Sequence, residues 1–252
     1  MDLPKLRLLL CSIAVCLLFI VNSGCEKYIK RGHIEGGLAL TFDDNYIDNW
    51  YSYLNMLDSF GAKATFYISS YQALTSIQKQ KLKVIEQRGH EIAFHTTHHL
   101  NLPKYLTTHT LKETLDKEIY AGLHAMNNDG FYPRNFAYPY GRHTVALDSA
   151  LLKIFSSVRT LNGTPDYTKS VCKTYGNKRL RSLNIDNDGL PLNKLLNMLN
   201  CASDNSNCVV LLAHRIMDGQ NIRVSPERLR AILTKAKELK LRFYLVKELA
   251  RQ

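Results

Sequence analysis

From about residue 37 onward, short apolar runs alternate with longer segments whose apolar positions recur at helical spacing. The runs at 38–42, 64–68, 90–94, 135–138, 157–159, 180–185, 208–213 and 242–245 predict strands. Between them, residues 48–60 carry Trp50, Tyr53, Leu54 and Leu57 on one face and stop at Gly61. Residues 75–88 carry Leu82 and Ile85 inward and close at Gly89, and helices are also expected at 111–126, 145–155 and 192–199. A helix over 226–239 has Ser225 as N-cap and Pro226 in its first position. Strand and helix alternate about seven times, which predicts a parallel sheet covered by helices. In 252 residues that is one α/β barrel or two small domains, and an apolar share of 45% can fill a sizeable core.

The polar residues able to do chemistry collect at one end of these strands. Asp43 and Asp44 close the first strand, His95 the third, Tyr140 follows the fourth, Asp186 ends the strand at 180–185, and His214 follows the run at 208–213. In an α/β barrel the C-terminal rim is where active sites are built. Side chains alternate along a strand, so the adjacent aspartates face different ways and divide two tasks. His95 and His99 are four apart, and on a helical turn both imidazoles would reach one ion. With Asp44 they make a three-ligand set that leaves positions open for water and substrate. Asp43 is then placed as general base, and His214, from a distant strand end, as the acid that protonates a departing amine. The expected ion is divalent, zinc by default, with nickel or cobalt as alternatives.

The N-terminus reads as a targeting segment. Lys5 and Arg7 precede an apolar run over 8–21, and Ser23 and Gly24 stand before Cys25. Gly before Cys resembles a bacterial lipoprotein processing site, so 1–24 reads as a lipoprotein-type signal peptide, Cys25 as the lipidated residue and 25–36 as a tether. An ordinary cleaved signal or an uncleaved anchor are the alternatives. The protein is then expected to be exported to a bacterial cell envelope and held on the outer membrane or in the periplasm by its lipid. Of the cysteines beyond Cys25, Cys201 and Cys208 flank a polar loop and are the expected disulfide pair. The net charge of +11 and pI of 9.3 suit an acidic polymer or anionic surface. No helix-turn-helix, zinc-finger or RNA-binding pattern is visible, so nucleic acid is not an expected partner.

Four ordered segments resemble the motifs of the polysaccharide deacetylases, the NodB-homology domains of carbohydrate esterase family 4. They are Thr41-Phe42-Asp43-Asp44, His95-Thr96-Thr97-His98-His99, Tyr138-Pro139-Tyr140-Gly141 and Leu211-Leu212-Ala213-His214. The resemblance implies a distorted (β/α)7 barrel over 37–252 that removes acetyl groups from N-acetylated sugars of a cell-envelope or extracellular polysaccharide. It implies Asp43 as base, Asp44, His95 and His99 as metal ligands, and His214 as acid. It also implies that the Tyr140 backbone N–H helps hold the oxyanion and that Tyr138, Pro139 and Tyr140 meet the substrate. The family's arginine before the Pro-aromatic pair is replaced by Ala137 or Tyr138, leaving Arg134 or Arg142 to supply a charge near Asp43. The aspartate that supports the acidic histidine is expected at Asp186, with Asp188 as alternative. Two other readings stay open: a catalytically weak or silent glycan-binding lipoprotein of this fold, and a hydrolase of another non-peptide C–N bond or an acetyl ester.

Overall fold

The structure is a computed structural model and describes residues 35–161, 171–172, 178–204 and 207–250. The expected signal peptide, the lipidation site Cys25 and nearly all of the tether lie outside the described residues. Among the described residues there are eleven strands: β1 Gly37–Asp44, β2 Ala64–Ile68, β3 Glu91–Phe94, β4 Asn135–Ala137, β5 Ser157–Leu161, β6 Val171–Cys172, β7 Arg179–Asn184, β8 Cys208–Ala213, β9 Arg215–Ile216, β10 Arg223–Val224 and β11 Arg242–Phe243. The order β1-β2-β3-β4-β5-β7-β8 is parallel throughout, and β8 pairs back onto β1 with Phe42 opposite Ala213. Seven strands therefore close a parallel barrel. β11, expected as one more strand of the series, adds to β1 only at Gly37 and Leu38, outside the ring.

Alternation sorts each strand into two faces. On β1, Leu38, Leu40 and Phe42 point to the helices and join the main core with Trp50, Phe66 and Leu211. Ala39 points into the barrel, where it packs with Tyr67, Ala93, Ala137, Leu180 and Val210. Below this layer the interior is polar. Glu91 accepts from Thr65 (2.9 Å) and from the backbone N–H of Lys247 (2.9 Å), and bonds Asn135, which accepts from Ser157 (2.7 Å). Burial raises the Glu91 pKa; these donors counter only part of that rise, and the net shift is upward. Above the layer, the same inward face delivers Asp43 from β1, His95 just past β3 and Arg159 from β5.

The helices differ from expectation where they meet the site. The segment 48–60 is two short helices, Ile47–Ser52 and Leu54–Ser59, broken at Tyr53. The segment 111–126 is not one α-helix: Leu111–Leu115 passes into a π-helical turn, Asp116–Tyr120, before Ala121–Asn128. A π-turn rotates the following residues relative to an α-helix, and here it leaves Glu118 wholly buried against the loop after β3. Gly122 lets that helix approach, since a Cβ there would lie 2.7 Å from the Phe94 ring and from Thr97 Oγ1. The expected Cys201–Cys208 disulfide is not formed: Cys201 is exposed near the end of helix Leu192–Asp204 and Cys208 is buried at the start of β8. Among the described residues no helix is long and apolar enough to cross a membrane.

Candidate active site at the barrel mouth

Asp43 is 3% exposed, on the inward face of β1. One carboxylate oxygen, Oδ2, accepts from Arg159 Nη2, while Oδ1 is buried without a hydrogen-bond partner. Arg159 is itself 1% exposed, donates to Ser182 Oγ (2.8 Å), and has its guanidinium carbon 5.0 Å from the centre of the Tyr67 ring. The charge beside Asp43 thus comes from β5. Arg134 and Arg142, the residues expected to supply it, are both exposed. The arrangement follows from alternation on β5: Ser157 and Arg159 face inward and Val158 outward.

Asp44 takes a left-handed backbone conformation (φ 86°), which turns its carboxylate out of the strand's pattern toward the loop after β3. That loop is not a helical turn, contrary to the expectation from the spacing of its histidines. Thr96 (φ 69°) and His99 (φ 56°) are left-handed, as is Tyr140 (φ 58°) on the neighbouring turn. Such a conformation is costly for β-branched Thr96, and non-glycine residues held this way tend to collect at functional sites. Glu118 holds the loop in place. Its carbonyl accepts from the Thr97 N–H (3.0 Å) and Oγ1 (3.0 Å), and its carboxylate takes the His98 N–H (3.0 Å) and lies 2.7 Å from His98 Nδ1. His98 is thereby turned away from Asp44, while His95 and His99 face it.

One ligand atom each from Asp44, His95 and His99 lies within 4.8 Å of the others. His99 Nε2 is 3.1 Å and His95 Nε2 3.7 Å from Asp44 Oδ1. Ligands about 2.0–2.2 Å from a zinc ion stand about 3.5 Å from one another, so the spacing suits a shared cation. Two features fit such an ion. Asp44 Oδ1 is buried without a hydrogen-bond partner despite the nearby imidazole. His95 Nδ1 lies 2.8 Å from the Ala137 carbonyl, which can only accept, so Nδ1 carries the proton and Nε2 offers its lone pair toward Asp44. Burial pushes the His95 pKa down to about 4, against the pull of Asp43 and Asp44, so the ring is neutral at pH 7 and its contacts with the aspartates are not ion pairs. Burial raises the Asp44 pKa, but the His99 contact and the charges of His95, His214 and His99 outweigh it, and the net shift is downward.

His214 follows β8. Its backbone N–H donates to Asp186 Oδ1 (3.1 Å) and its Nδ1 to Asp186 Oδ2 (2.6 Å), leaving Nε2 for the mouth. Asp186 is fully buried, whereas Asp188, the alternative, is exposed. Trp50, the chain's only tryptophan, donates from Nε1 to the His214 carbonyl (2.8 Å). Arg228 Nε donates to the Ile185 carbonyl (2.7 Å) and fixes the turn that carries Asp186. Burial would lower the His214 pKa. The bond to Asp186 and the charges of Asp43, Asp186 and Asp44 outweigh it, so the pKa is raised.

Of the three residues expected to meet substrate, only Tyr140 reaches the surface, at 59% exposure, with its ring edge-on to His99 at 4.9 Å. Tyr138 is 1% exposed and donates its hydroxyl to Asp148 (2.8 Å), and Pro139 is buried, so the motif's first two side chains build the wall beneath the site. Arg159 and Glu118 escaped the sequence reading. The signal for Arg159 was a lone cation inside an alternating strand; for Glu118 there was none, because the π-turn leaves no mark on the helical period.

This barrel and site have known relatives. The sequence pattern of the polysaccharide deacetylase family matches residues 30–154. A curated relative from Arthroderma benhamiae, described as a probable peptidoglycan-N-acetylglucosamine deacetylase, is 34% identical over 78 residues, covering 30% of this chain and 18% of that relative's length. Among solved structures, the chitin deacetylase of the fungal pathogen Colletotrichum lindemuthianum superposes with a TM-score of 0.59 at 19% identity, over 85% of this chain and 87% of that one. The peptidoglycan deacetylase PdaC of Bacillus subtilis does so with 0.56 at 18% identity, over 86% and 91%. At such identities the structural likeness concerns the fold. Together with the four ordered motifs, the family match decides the assignment: the chain belongs to the polysaccharide deacetylase family.

Proposed function

We propose that this chain is a metal-dependent hydrolase that removes N-acetyl groups from the amino sugars of a polysaccharide. The observation that carries the reading is Asp43, whose one oxygen is held by Arg159 while the other is buried without a partner beside the Asp44, His95 and His99 cluster. An Asp-His-His set would hold a divalent ion, zinc by expectation, and that ion supplies positive charge to polarise the acetyl carbonyl and acidify a water. The rest of the chemistry belongs to the chain. Asp43 Oδ1 takes a proton from the water as its oxygen bonds to the acetyl carbon. The Tyr140 backbone N–H donates to the acetyl oxygen as it gains negative charge. His214 gives its Nε2 proton to the sugar nitrogen as the C–N bond breaks, so acetate and an amine leave. Asp186 keeps His214 in the tautomer and orientation this step needs.

Acetate release from a panel of N-acetylated glycans by the chain from residue 26 onward tests the proposal. Release above background from at least one polymer is expected, and none from any metal-loaded sample would contradict it. A second expectation concerns pH. His214 acts while protonated, and its pKa is raised mainly by Asp186, so activity persists above the ordinary imidazole range and is lost as pH climbs through the raised value. Asp186→Asn removes that support, and the alkaline limb of kcat against pH is expected to move down by about one unit. An unmoved limb would separate Asp186 from the proton transfer. We also propose, from the apolar run over 8–21 and the Gly24-Cys25 pair, that the chain is exported and lipid-anchored at Cys25. Labelling of the full chain by a fatty-acid probe, lost in Cys25→Ser, is the expected result.

A further inference from the structure

Beside the catalytic residues, the rim between the ends of β1 and β8 opens into a groove of about 570 Å³ lined by Asn45, Tyr46, Asn49, Tyr53, Arg215 and Met217 among others. It begins one residue past Asp44 and one past His214, so whatever fills it lies next to the sugar being processed. Arg215 is fixed there. Asn49 bonds Ile216 twice, donating to its carbonyl (3.0 Å) and accepting from its N–H (2.7 Å), and the Arg215 guanidinium carbon stands 4.6 Å over the Tyr46 ring. Tyr46 is in turn edge-on to Trp50 at 6.2 Å. The short parallel pair of β9 and β10 sets Arg223 directly beside Arg215, and Arg223 packs over Gly219, where a Cβ would come within 2.5 Å of its Nη1.

Arg215 and Arg223 occupy paired positions on neighbouring strands, both permanently charged and both near Tyr46, and like charges so placed repel unless an anion lies close to them. Among the described residues neither Arg215 nor Arg223 has a carboxylate partner. The acidic residue of the groove, Asp48, is taken up by Lys81 (2.5 Å) and Gln78 (2.9 Å). We propose that Arg215 and Arg223 form a subsite for a carboxylate-bearing sugar adjacent to the N-acetylated one, so that the substrate is an anionic polysaccharide. The inference rests on the deacetylase reading and narrows its substrate class, and the net charge of +11 agrees with it.

The test compares kcat/KM for acetate release from neutral chitin oligosaccharides with that from two anionic series of equal length. Hyaluronan oligosaccharides carry the carboxylate on a uronic acid, and peptide-free peptidoglycan strands carry it on a lactyl ether. The chain is expected to favour at least one anionic series by tenfold or more at low salt, with the preference shrinking as salt rises. The larger ratio identifies the source of the carboxylate. Arg215→Ala combined with Arg223→Ala is expected to bring the ratio close to one, chiefly by raising KM about tenfold. Arg215→Gln combined with Arg223→Gln, which keeps the packing, gives the same result, and Arg230→Ala, a remote exposed arginine, keeps the ratio. A wild-type ratio near one, or a ratio that survives both double variants, overturns the subsite and leaves the deacetylase reading standing. If no polymer releases acetate, calorimetric binding of the same oligosaccharides to the unmodified chain still decides the subsite: binding lost in the glutamine pair supports it, and binding absent from wild type or undiminished in the pair overturns it.

Discussion

Asp43→Asn is expected to lower kcat for acetate release by about a thousandfold, within the range ascribed to a positioned general base. The substitution is nearly isosteric, and its amide oxygen can still accept from Arg159 Nη2. What is lost is the basicity of Oδ1, the oxygen without a partner. KM is expected to stay within about threefold, because the groove and the Asp44, His95 and His99 cluster are untouched. Bound metal, measured on the same preparation, is expected to match the wild type. A variant that keeps full activity would remove Asp43 from the chemistry. A variant that loses its metal in parallel would make the effect one of site assembly.

The second large effect is expected at Arg159. Arg159→Leu leaves the Asp43 carboxylate inside the barrel without its cation, and breaking a buried pair by removing one partner costs about 3–5 kcal/mol. For a chain of this size that corresponds to a fall of roughly 10 °C in Tm. The base also loses the group that aims it, so kcat is expected to drop about a hundredfold. Arg159→Lys separates the two contributions. It keeps a positive charge near Asp43, but an ammonium cannot reach Asp43 Oδ2 and Ser182 Oγ together as the fork does. Most of the stability should return, with kcat still about tenfold low. Thermal melts and acetate rates on both variants check this, and wild-type behaviour in Arg159→Leu would show that Asp43 needs no support.

The contrast between Asp43 and Arg159 shows what this sequence could reveal. Asp43, Asp44, His95, Asp186 and His214 stand where apolar strands stop, and a parallel sheet turns that shared chain position into a shared place. Their convergence was legible because strand direction alone produces it. Arg159 sits inside a strand, and its partner is decided by which strands become neighbours in the closed barrel: β5 bonds β4 and β7, yet its inward side chain reaches across to β1. Glu118 lies deeper still. Its buried carboxylate depends on a π-turn, and an apolar period cannot distinguish that from a continuous helix. The same limit explains the His95–His99 loop. The spacing of four is real, but two left-handed residues and Glu118 bring the rings together, not a helical turn. Tyr138 errs in the opposite direction: its motif marks the site's construction, and its hydroxyl belongs to Asp148 in the core.

Among the described residues eight non-glycine residues have positive φ, and four of them, Asp44, Thr96, His99 and Tyr140, surround the mouth. Strain of this kind persists only when neighbours over-determine it. Glu118, the Ala137 carbonyl and the close approach at Gly122 are those neighbours. The barrel thus holds Asp44, His95 and His99 facing one point in a conformation that the local sequence would not choose.

Metal content and acetate release, measured on the same sample before and after chelation, decide whether the barrel mouth is a metal-dependent deacetylase site. About one divalent ion per chain is expected, with acetate release lost when that ion is stripped and restored on adding zinc, nickel or cobalt. In His95→Ala and His99→Ala neither the ion nor the activity is expected to return. Full acetate release from a preparation stripped of metal, or a tightly held ion in both histidine variants, would contradict such a site.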